Sequence, residues 1–265
     1  MDVMTVFLVV PFYNQADRLR LCIDSLREQS TPFVALLVDD GSTDPAVQEV
    51  LAVVQGDARF EHVRCDINNG PAAARHAGLT RVLALSREAQ DIVVLVDGDD
   101  RLIGMDALAS LRNAYLTRPN CKMTFGSMRI VPPIPFERAP YADWMIRFRL
   151  ARWTTWRAEH PRTFRVDLLR QCWPRLSFTY RDGRWLRGAT DMALVLPLLD
   201  HCRPGEVQRL DAPLYEYHAG LSAGRVSPEQ AEGERFVRGA VGTALVRAWL
   251  SAPKVVKRFL RWLTP

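Results

Sequence analysis

The stretch Ile92–Val96 consists of five consecutive apolar residues, four of them β-branched. A strand that is buried on both faces needs such a run, whereas a strand with one face in water alternates apolar and polar residues. Both faces of a sheet become buried when helices connect parallel strands and pack over them. The sequence therefore predicts a parallel sheet with helices on both sides, and Ile92–Val96 is expected near its centre.

Similar apolar runs alternate with helical spacing through the first half of the chain. One helical face is predicted where apolar residues recur at i, i+3, i+4 and i+7, as at Leu19, Cys22, Ile23 and Leu26. Further helices are predicted at Pro71–Leu85 and Met105–Leu116. The other predicted strands are Thr5–Val10, Ala35–Val38, Phe60–Cys65 and Met123–Val131. This alternation with short connections is typical of an α/β fold with a mainly parallel sheet.

The bulk composition limits the classes of protein to consider. The chain has 265 residues, 48% of them hydrophobic, enough for one sizeable core with a smaller appendage. A net charge of +5 suits an anionic substrate, and no zinc-finger or RNA-recognition motif points to nucleic acid. Five scattered cysteines favour a reducing compartment, so we expect a cytoplasmic protein. No apolar run is long enough to predict a membrane span.

Clustered prolines between Pro132 and Pro140 mark a change of pattern. We therefore expect three parts, at residues 1–131, 132–225 and 226–265, of which the last is a helical extension.

Each of the first four predicted strands is followed by a polar turn. The turns are Pro11–Asn14, Asp39–Asp44, Asn68–Pro71 and Asp97–Asp100. In an open parallel sheet, ligands bind beyond the carboxyl ends of the strands. We therefore expect the four turns to lie at one edge of the sheet and to form a single site.

The acidic turn Asp97–Asp100 carries three carboxylates, which repel one another unless a cation or strong donors neutralise them. Hard oxygen ligands suit Mg²⁺ or Mn²⁺, and Mg²⁺ completes its shell with water and phosphate oxygens. The turn therefore predicts a metal that carries a nucleoside diphosphate. Asp99 is the first candidate for metal contact and Asp100 the second, whereas Asp97 is expected to meet ribose or orient the turn. The alternative is a purely structural turn in which Gly98 and the carboxylates cap a helix.

The second and third turns supply candidates for nucleotide binding. Asp39 or Asp40 is placed to accept hydrogen bonds from a nucleobase or ribose. Gly70 closes a tight turn before a helix N-terminus, where backbone N–H groups favour phosphate. Arg75, one turn into that helix, can add a bidentate phosphate contact. The alternative for Arg75 is an arginine on the helix surface.

In this order and spacing, the four turns resemble those of family 2 glycosyltransferases with the GT-A fold. The family's V-x-P-x-Y-N, D-D-G-S-x-D, N-x-G-x-A-x-A-R and D-x-D-D elements correspond to Val9–Asn14, Asp39–Asp44, Asn68–Arg75 and Asp97–Asp100. Each motif alone is weak, whereas the ordered set is specific. The resemblance implies a Rossmann-like, mainly parallel sheet flanked by helices, with a C-terminal acceptor-binding region and terminal helices.

The resemblance also implies roles for individual residues. Pro11, Tyr13 and Gly98 join the nucleotide-binding set. Asp191, in a segment that resembles the family's acidic pair, is implied as the base that takes the proton of the acceptor hydroxyl during inversion. Thr190 stands where the family usually has Glu, and the residue types predict it as the N-cap of a helix. The alternative role of Asp191 is helix capping.

Tyr215–His218 resembles another recurring element of the family. His218 is therefore a candidate ligand of the metal or diphosphate, and its alternative role is a structural hydrogen bond. The resemblance implies a nucleotide-sugar donor, with UDP as the first choice and GDP or dTDP open, and a saccharide or lipid-linked acceptor in glycan synthesis. A sugar nucleotidyltransferase and a non-catalytic nucleotide-sugar-binding module are the alternatives.

Residues 254–263 have basic side chains on one helical face and apolar ones on the other. Such a helix suits an anionic membrane interface, which predicts peripheral attachment at the inner face. Docking on its own domain or on a second subunit of a homo-oligomer is an equal alternative.

Overall fold

The computed structural model of the protein describes residues 4–133, 139–219 and 226–251. Four strands and four helices build the first half of the chain. The strands are β1 (Val6–Phe12), β2 (Val34–Asp39), β3 (Phe60–Arg64) and β4 (Ile92–Leu95). The helices are α1 (Ala16–Arg27), α2 (Ala46–Ala52), α3 (Pro71–Leu85) and α4 (Ala107–Thr117).

The remaining elements combine short strands with helices. The strands are β5 (Arg101–Leu102), β6 (Met123–Val131), β7 (Arg162–Arg165) and β8 (Val207–His218). The helices are α5 (Asp143–Arg147), α6 (Val166–Cys172), α7 (Thr190–His201) and α8 (Pro228–Ser251), with 3₁₀ turns at Ala151–Trp153 and Trp173–Arg175. Gly239, with φ of 73°, interrupts the helical backbone of α8.

All eight strands form one sheet in the order β3-β2-β1-β4-β7-β6-β8-β5. The first four are parallel neighbours, which confirms the predicted α/β architecture. Strand β7 is antiparallel to both β4 and β6 and so joins the two halves of the chain in one sheet. Neither β7 nor β8 was predicted, because their residues lack a continuous apolar run.

The core lies in two layers, one on each face of the sheet. Along β1, Phe7 and Val9 point into one layer, whereas Leu8 and Val10 point into the other. Helices α3, α6 and α7 cover the first face, and α1, α2 and α4 cover the second. Every residue of β4 is buried, as the continuous apolar run predicts. Because both faces are covered, ligands reach the sheet only at its strand ends.

Two predictions about the second half need comment. Thr190 is not the N-cap of α7. Ala189 precedes the helix in a left-handed conformation, with φ of 51°, and Thr190 is the first helical residue. Residues 254–263 lie outside the described residues. Within the part of the chain that is described, no helix combines the length and apolar character that a bilayer span requires.

Candidate active site

The four polar turns meet at the carboxyl ends of the parallel strands and line one open cleft of about 290 Å³. Eight of the residues predicted for the site line this cleft: Pro11, Tyr13, Asp40, Gly70, Arg75, Asp97, Gly98 and Asp99. Asp39, Asp100, Asp191 and His218 do not line it. Asn68 and Arg187 do, although the sequence did not single out Arg187.

Gly98 allows the first and fourth turns to approach closely. A Cβ atom at this position would lie 2.6 Å from Cβ of Phe12 and 3.0 Å from the carbonyl oxygen of Pro11. The Gly98 amide donates a 3.1 Å hydrogen bond to that same oxygen. A larger residue at position 98 would therefore separate the two turns and open the floor of the cleft.

Asp40, in the second turn, connects that turn to the third through hydrogen bonds. Its carboxylate accepts hydrogen bonds from the amides of Asn69, at 3.1 Å, and Gly70, at 2.7 Å. These two amides are therefore engaged within the protein. The phosphate contact at the N-terminus of α3 stays a prediction, and Gly70 lines the cleft beside it.

Asp39 has a structural role that replaces its predicted contact with a nucleobase or ribose. Its side chain is fully buried, and one oxygen accepts the amide of Ser42 at 2.7 Å. The other oxygen lies 2.5 Å from Nη1 of Arg64. Both oxygens are thus engaged within the protein. Of the three acidic residues in this turn, Asp40 alone lines the cleft.

Arg75 joins the acidic turn to the start of α7. Its Nη2 lies 2.5 Å from Oδ1 of Asp97, and its Nη1 donates to the hydroxyl of Thr190. Both Nη atoms thus have partners and the side chain is buried, although it lines the cleft, so its phosphate contact stays a prediction. Arg75 therefore fixes the distance between the acidic turn and the helix that carries Asp191.

The charges around Asp97 keep it ionised. Burial raises the pKa of this carboxyl, but the positive charges of Arg75 and Arg162 and the hydrogen bond from Arg75 outweigh burial and lower the pKa to about 2. His160 is itself buried, stacks on the ring of Tyr215 at 4.5 Å and has a pKa well below its usual range because of that burial. Asp97 is thus a fixed negative charge in the cleft wall.

Asp100 faces away from the cleft. One of its oxygens accepts the Tyr215 hydroxyl at 2.8 Å, and the other accepts the His218 amide at 2.7 Å. Burial, together with the nearby charges of Asp97 and Asp99, raises the pKa of Asp100 to about 8. These contacts make Asp100 a support for the acidic turn and leave Asp99 as the better candidate for direct metal contact.

His218 is also occupied within the protein. Its Nδ1 accepts a 2.6 Å hydrogen bond from Nη1 of Arg18, and its Nε2 lies 3.1 Å from Oε1 of Glu216. Nδ1 is thus engaged, whereas Nε2 is buried without a hydrogen-bond partner, so the ligand role of His218 stays a prediction beside its structural role.

Asp99 is the candidate metal ligand of the acidic turn. It lines the cleft and, among the described residues, receives a hydrogen bond only from its own backbone amide. Burial and the charge of Asp97 raise its pKa, which a bound cation would reverse. No group of three or more His, Cys, Asp or Glu residues gathers in the described ranges. Mg²⁺ favours one or two carboxylates, with phosphate oxygens and water in the rest of its coordination shell. These residues fit such an ion.

The raised pKa of Asp100 makes the stability of the metal-free protein depend on pH. Folded Asp100 holds its proton up to about pH 8, whereas the unfolded carboxyl loses it near pH 3.8, so this contribution to stability is lost as pH rises between those values. The free energy of unfolding should fall by up to about 1.4 kcal/mol per pH unit from this group. Neutral His160 has the opposite effect, but only below about pH 6.5.

Urea unfolding between pH 6.5 and pH 8 isolates the contribution of Asp100. The wild-type protein should lose stability across this window, and the Asp100→Asn variant should lose distinctly less. Parallel profiles for the two proteins would show that Asp100 is not the responsible group.

Asp191 lies in the first turn of α7, beside the cleft and about one-quarter exposed (24%). Its Oδ2 lies 3.1 Å from Nη2 of Arg162, and its Oδ1 accepts the amide of Met192 at 2.8 Å. Arg162 in turn donates to the carbonyl of Ala158 at 2.7 Å. The carboxylate is therefore held in one orientation, and Arg162 is its supporting residue.

Comparison with known proteins decides the family. Residues 7–181, about two thirds of the chain, match the model of the family described as glycosyl transferase family 2. The chain belongs to glycosyl transferase family 2. The matched segment contains all four polar turns and ends before Asp191.

Relatives and solved structures agree with this family. A Haemophilus influenzae uncharacterized glycosyltransferase is 30% identical over 128 residues, 48% of each protein. The poly(ribitol-phosphate) β-glucosyltransferase of Bacillus spizizenii is 31% identical over 133 residues, 48% of this chain and 19% of that one. The family 2 chain thus spans about half the length of one relative and a fifth of the other.

Two solved structures share the fold. Staphylococcus aureus TarS in complex with UDP-GlcNAc has a TM-score of 0.60 at 18% identity, over 88% of this chain and 65% of that one. The Pyrobaculum calidifontis mannosyltransferase PcManGT, in complex with GDP-Man and Mn²⁺, has a TM-score of 0.52 at 16% identity, over 98% of this chain and 79% of that one. These matches confirm the predicted GT-A fold.

Proposed function

We propose that this chain is an inverting, metal-dependent glycosyltransferase that moves a sugar from a nucleoside-diphosphate donor to a hydroxyl of a saccharide or lipid-linked acceptor. The observation that carries the proposal is the buried connection through Arg75. It places Asp99, the candidate metal residue, and Asp191, the candidate base, on two elements that a single side chain holds together.

The shape of the cleft supports a nucleoside diphosphate. The turns follow the adjacent strands β3, β2, β1 and β4, which at about 4.8 Å per strand gives roughly 14 Å from end to end. A nucleoside diphosphate laid along this edge brings its phosphates to the acidic turn and its base to the third turn. UDP is our first choice of carrier because TarS, which shares the fold, is solved with UDP-GlcNAc.

The metal that we propose is Mn²⁺ or Mg²⁺, held by Asp99. When bound there, it would neutralise the diphosphate and stabilise it as a leaving group. Asp100 contributes indirectly, because its contacts with Tyr215 and His218 fix the conformation of the acidic turn. Asp97 stays ionised and holds Arg75 in place.

The proposed reaction is a single displacement at the anomeric carbon. The acceptor oxygen forms a bond to that carbon, and the bond to the diphosphate oxygen breaks with its electron pair on the leaving group. The acceptor proton passes to Asp191. Arg162 orients the carboxylate through its 3.1 Å contact. Attack from the face opposite the diphosphate inverts the configuration.

Two alternatives have less support. A sugar nucleotidyltransferase needs a Gly-rich basic loop after the first strand, and here that turn is Pro11–Asn14. A non-catalytic binding module would not need the held carboxylate of Asp191 beside the cleft.

The relatives favour a role in polysaccharide or teichoic acid synthesis. The five free cysteines favour the cytoplasm, and residues 254–263 provide the proposed membrane or subunit contact.

The test is a screen of nucleotide sugars with Mn²⁺, scored by release of the nucleoside diphosphate. We expect release from one UDP-sugar, stimulated by the correct acceptor and abolished by a chelator. Release of pyrophosphate from a nucleoside triphosphate and a sugar phosphate would instead support the nucleotidyltransferase.

A further inference from the structure

Arg187 reaches the cleft from the second half of the chain. It lies on the loop before α7, four residues ahead of Asp191, and beyond the segment that matches the family. Its side chain is exposed and lines the cleft with Asn68 and Gly70. The loop that carries Arg187 leads directly into α7, which carries the candidate base Asp191.

The backbone on both sides of Arg187 is fixed. Leu186 is fully buried, and Gly188 packs so closely on the start of α8 that a Cβ there would lie 2.3 Å from the carbonyl oxygen of Glu229. The amide of Ala189 donates to Oε1 of Gln230 at 2.7 Å. An exposed arginine between anchored neighbours keeps its direction without a ligand, and here that direction is into the cleft.

The guanidinium is held against the third turn. Its Nη1 donates to Oδ1 of Asn68 at 2.8 Å, and its Nη2 lies 3.4 Å from the carbonyl oxygen of Asn68. Its Cδ lies so close to Gly70 that a Cβ on that glycine would be 2.8 Å away. An arginine has five N–H donors, so this arrangement leaves donors for a ligand.

The position of Arg187 along the cleft indicates which part of a ligand it would meet. The third turn follows β3, three strands from β4 and its acidic turn, which is roughly 14 Å at the spacing of strands. If phosphates bind at Asp99, the base lies at the opposite end, beside Asn68 and Arg187. A guanidinium only donates hydrogen bonds, so its partner on a base is a carbonyl oxygen or an unprotonated ring nitrogen, and on uracil it is a carbonyl oxygen.

We propose that Arg187 binds the nucleobase of the donor by donating a hydrogen bond to the carbonyl that distinguishes uracil from cytosine. This inference rests on the proposed function. It makes Arg187 a specificity-determining residue, and it places base recognition on the loop that leads directly to Asp191.

The test compares UDP and CDP binding in the presence of Mn²⁺ by calorimetric titration. Wild-type protein should prefer UDP, and Arg187→Ala should weaken UDP about 10- to 100-fold, the usual effect of losing a hydrogen bond to a charged group. CDP affinity should change little, so the preference should largely disappear. Arg184→Ala is the matched control, because Arg184 is on the same loop but pairs with Asp182 and Glu232.

Three results would overturn the inference: no preference in the wild-type protein, unchanged UDP affinity in Arg187→Ala, or an equal loss for UDP and CDP. The last would assign Arg187 to the shared ribose and diphosphate. Failure of the wild-type protein to bind either nucleotide would overturn the proposed function itself, so the two failures are distinguishable.

Discussion

Replacing Asp191 by Asn should lower the rate of sugar transfer about 100- to 10,000-fold, the usual contribution of a general base. The amide keeps the size of the side chain and can still accept the Met192 amide at the start of α7, but it cannot take the proton of the acceptor hydroxyl. Nucleotide affinity should change little, because Asp191 lies outside the cleft wall. Initial rates with the donor found in the screen, together with a UDP titration, measure both quantities.

The control for this variant is Asp211→Asn, an exposed aspartate on β8. It should behave like the wild-type protein in both measurements. Full transfer activity in Asp191→Asn would remove the base assignment. A parallel loss of UDP affinity and rate would instead mean that the substitution disturbs the connection through Thr190 and Arg75.

Replacing Asp99 by Asn should lower nucleotide binding as well as transfer, because it removes the proposed metal contact. Loss of a residue that only supports a metal ligand lowers metal affinity about 10- to 100-fold. Loss of the ligand itself should lower metal affinity at least as much. We expect metal-dependent UDP binding to fall by at least that factor, and transfer with it. Thermal shift with UDP across a Mn²⁺ series measures the effect.

The two variants together separate binding from chemistry. Asp191→Asn should bind UDP and not transfer, whereas Asp99→Asn should do neither, and Asp211→Asn should do both. Wild-type UDP affinity in Asp99→Asn, at every Mn²⁺ concentration, would contradict the metal assignment.

The strands and helices of the first half were predictable because their patterns are local. Ile92–Val96 is apolar throughout, and the structure buries β4 on both faces. Pro71–Leu85 begins and ends as predicted, since Pro starts the helix and its apolar spacing is regular. The site location followed from the same strands, because polar turns after parallel strands must share an edge.

The partners within the site were not predictable, because they join residues far apart in the chain. Arg75 and Thr190 are separated by 115 positions, and Arg187 and Asn68 by 119. Residue type alone favoured phosphate as the partner of Arg75 and of the Gly70 amide. In the folded chain, Asp97 and Asp40 accept hydrogen bonds from these donors.

His218 illustrates the same limit. A histidine in this segment is a reasonable ligand from its chemistry, but β8 brings it between Arg18 and Glu216. The contact of Arg162 with Asp191 was likewise not predicted. Its pairing on β7 opposite Leu95 of β4 is what places it beside Asp191.

The central claim is that the acidic turn binds a nucleoside diphosphate through a divalent metal. Calorimetric titration of the wild-type protein with UDP, with and without Mn²⁺, tests it most directly. We expect saturable binding of one UDP per chain with Mn²⁺ and much weaker binding after the metal is removed with a chelator. Equal UDP affinity in the two conditions, or no binding in either, would contradict the claim.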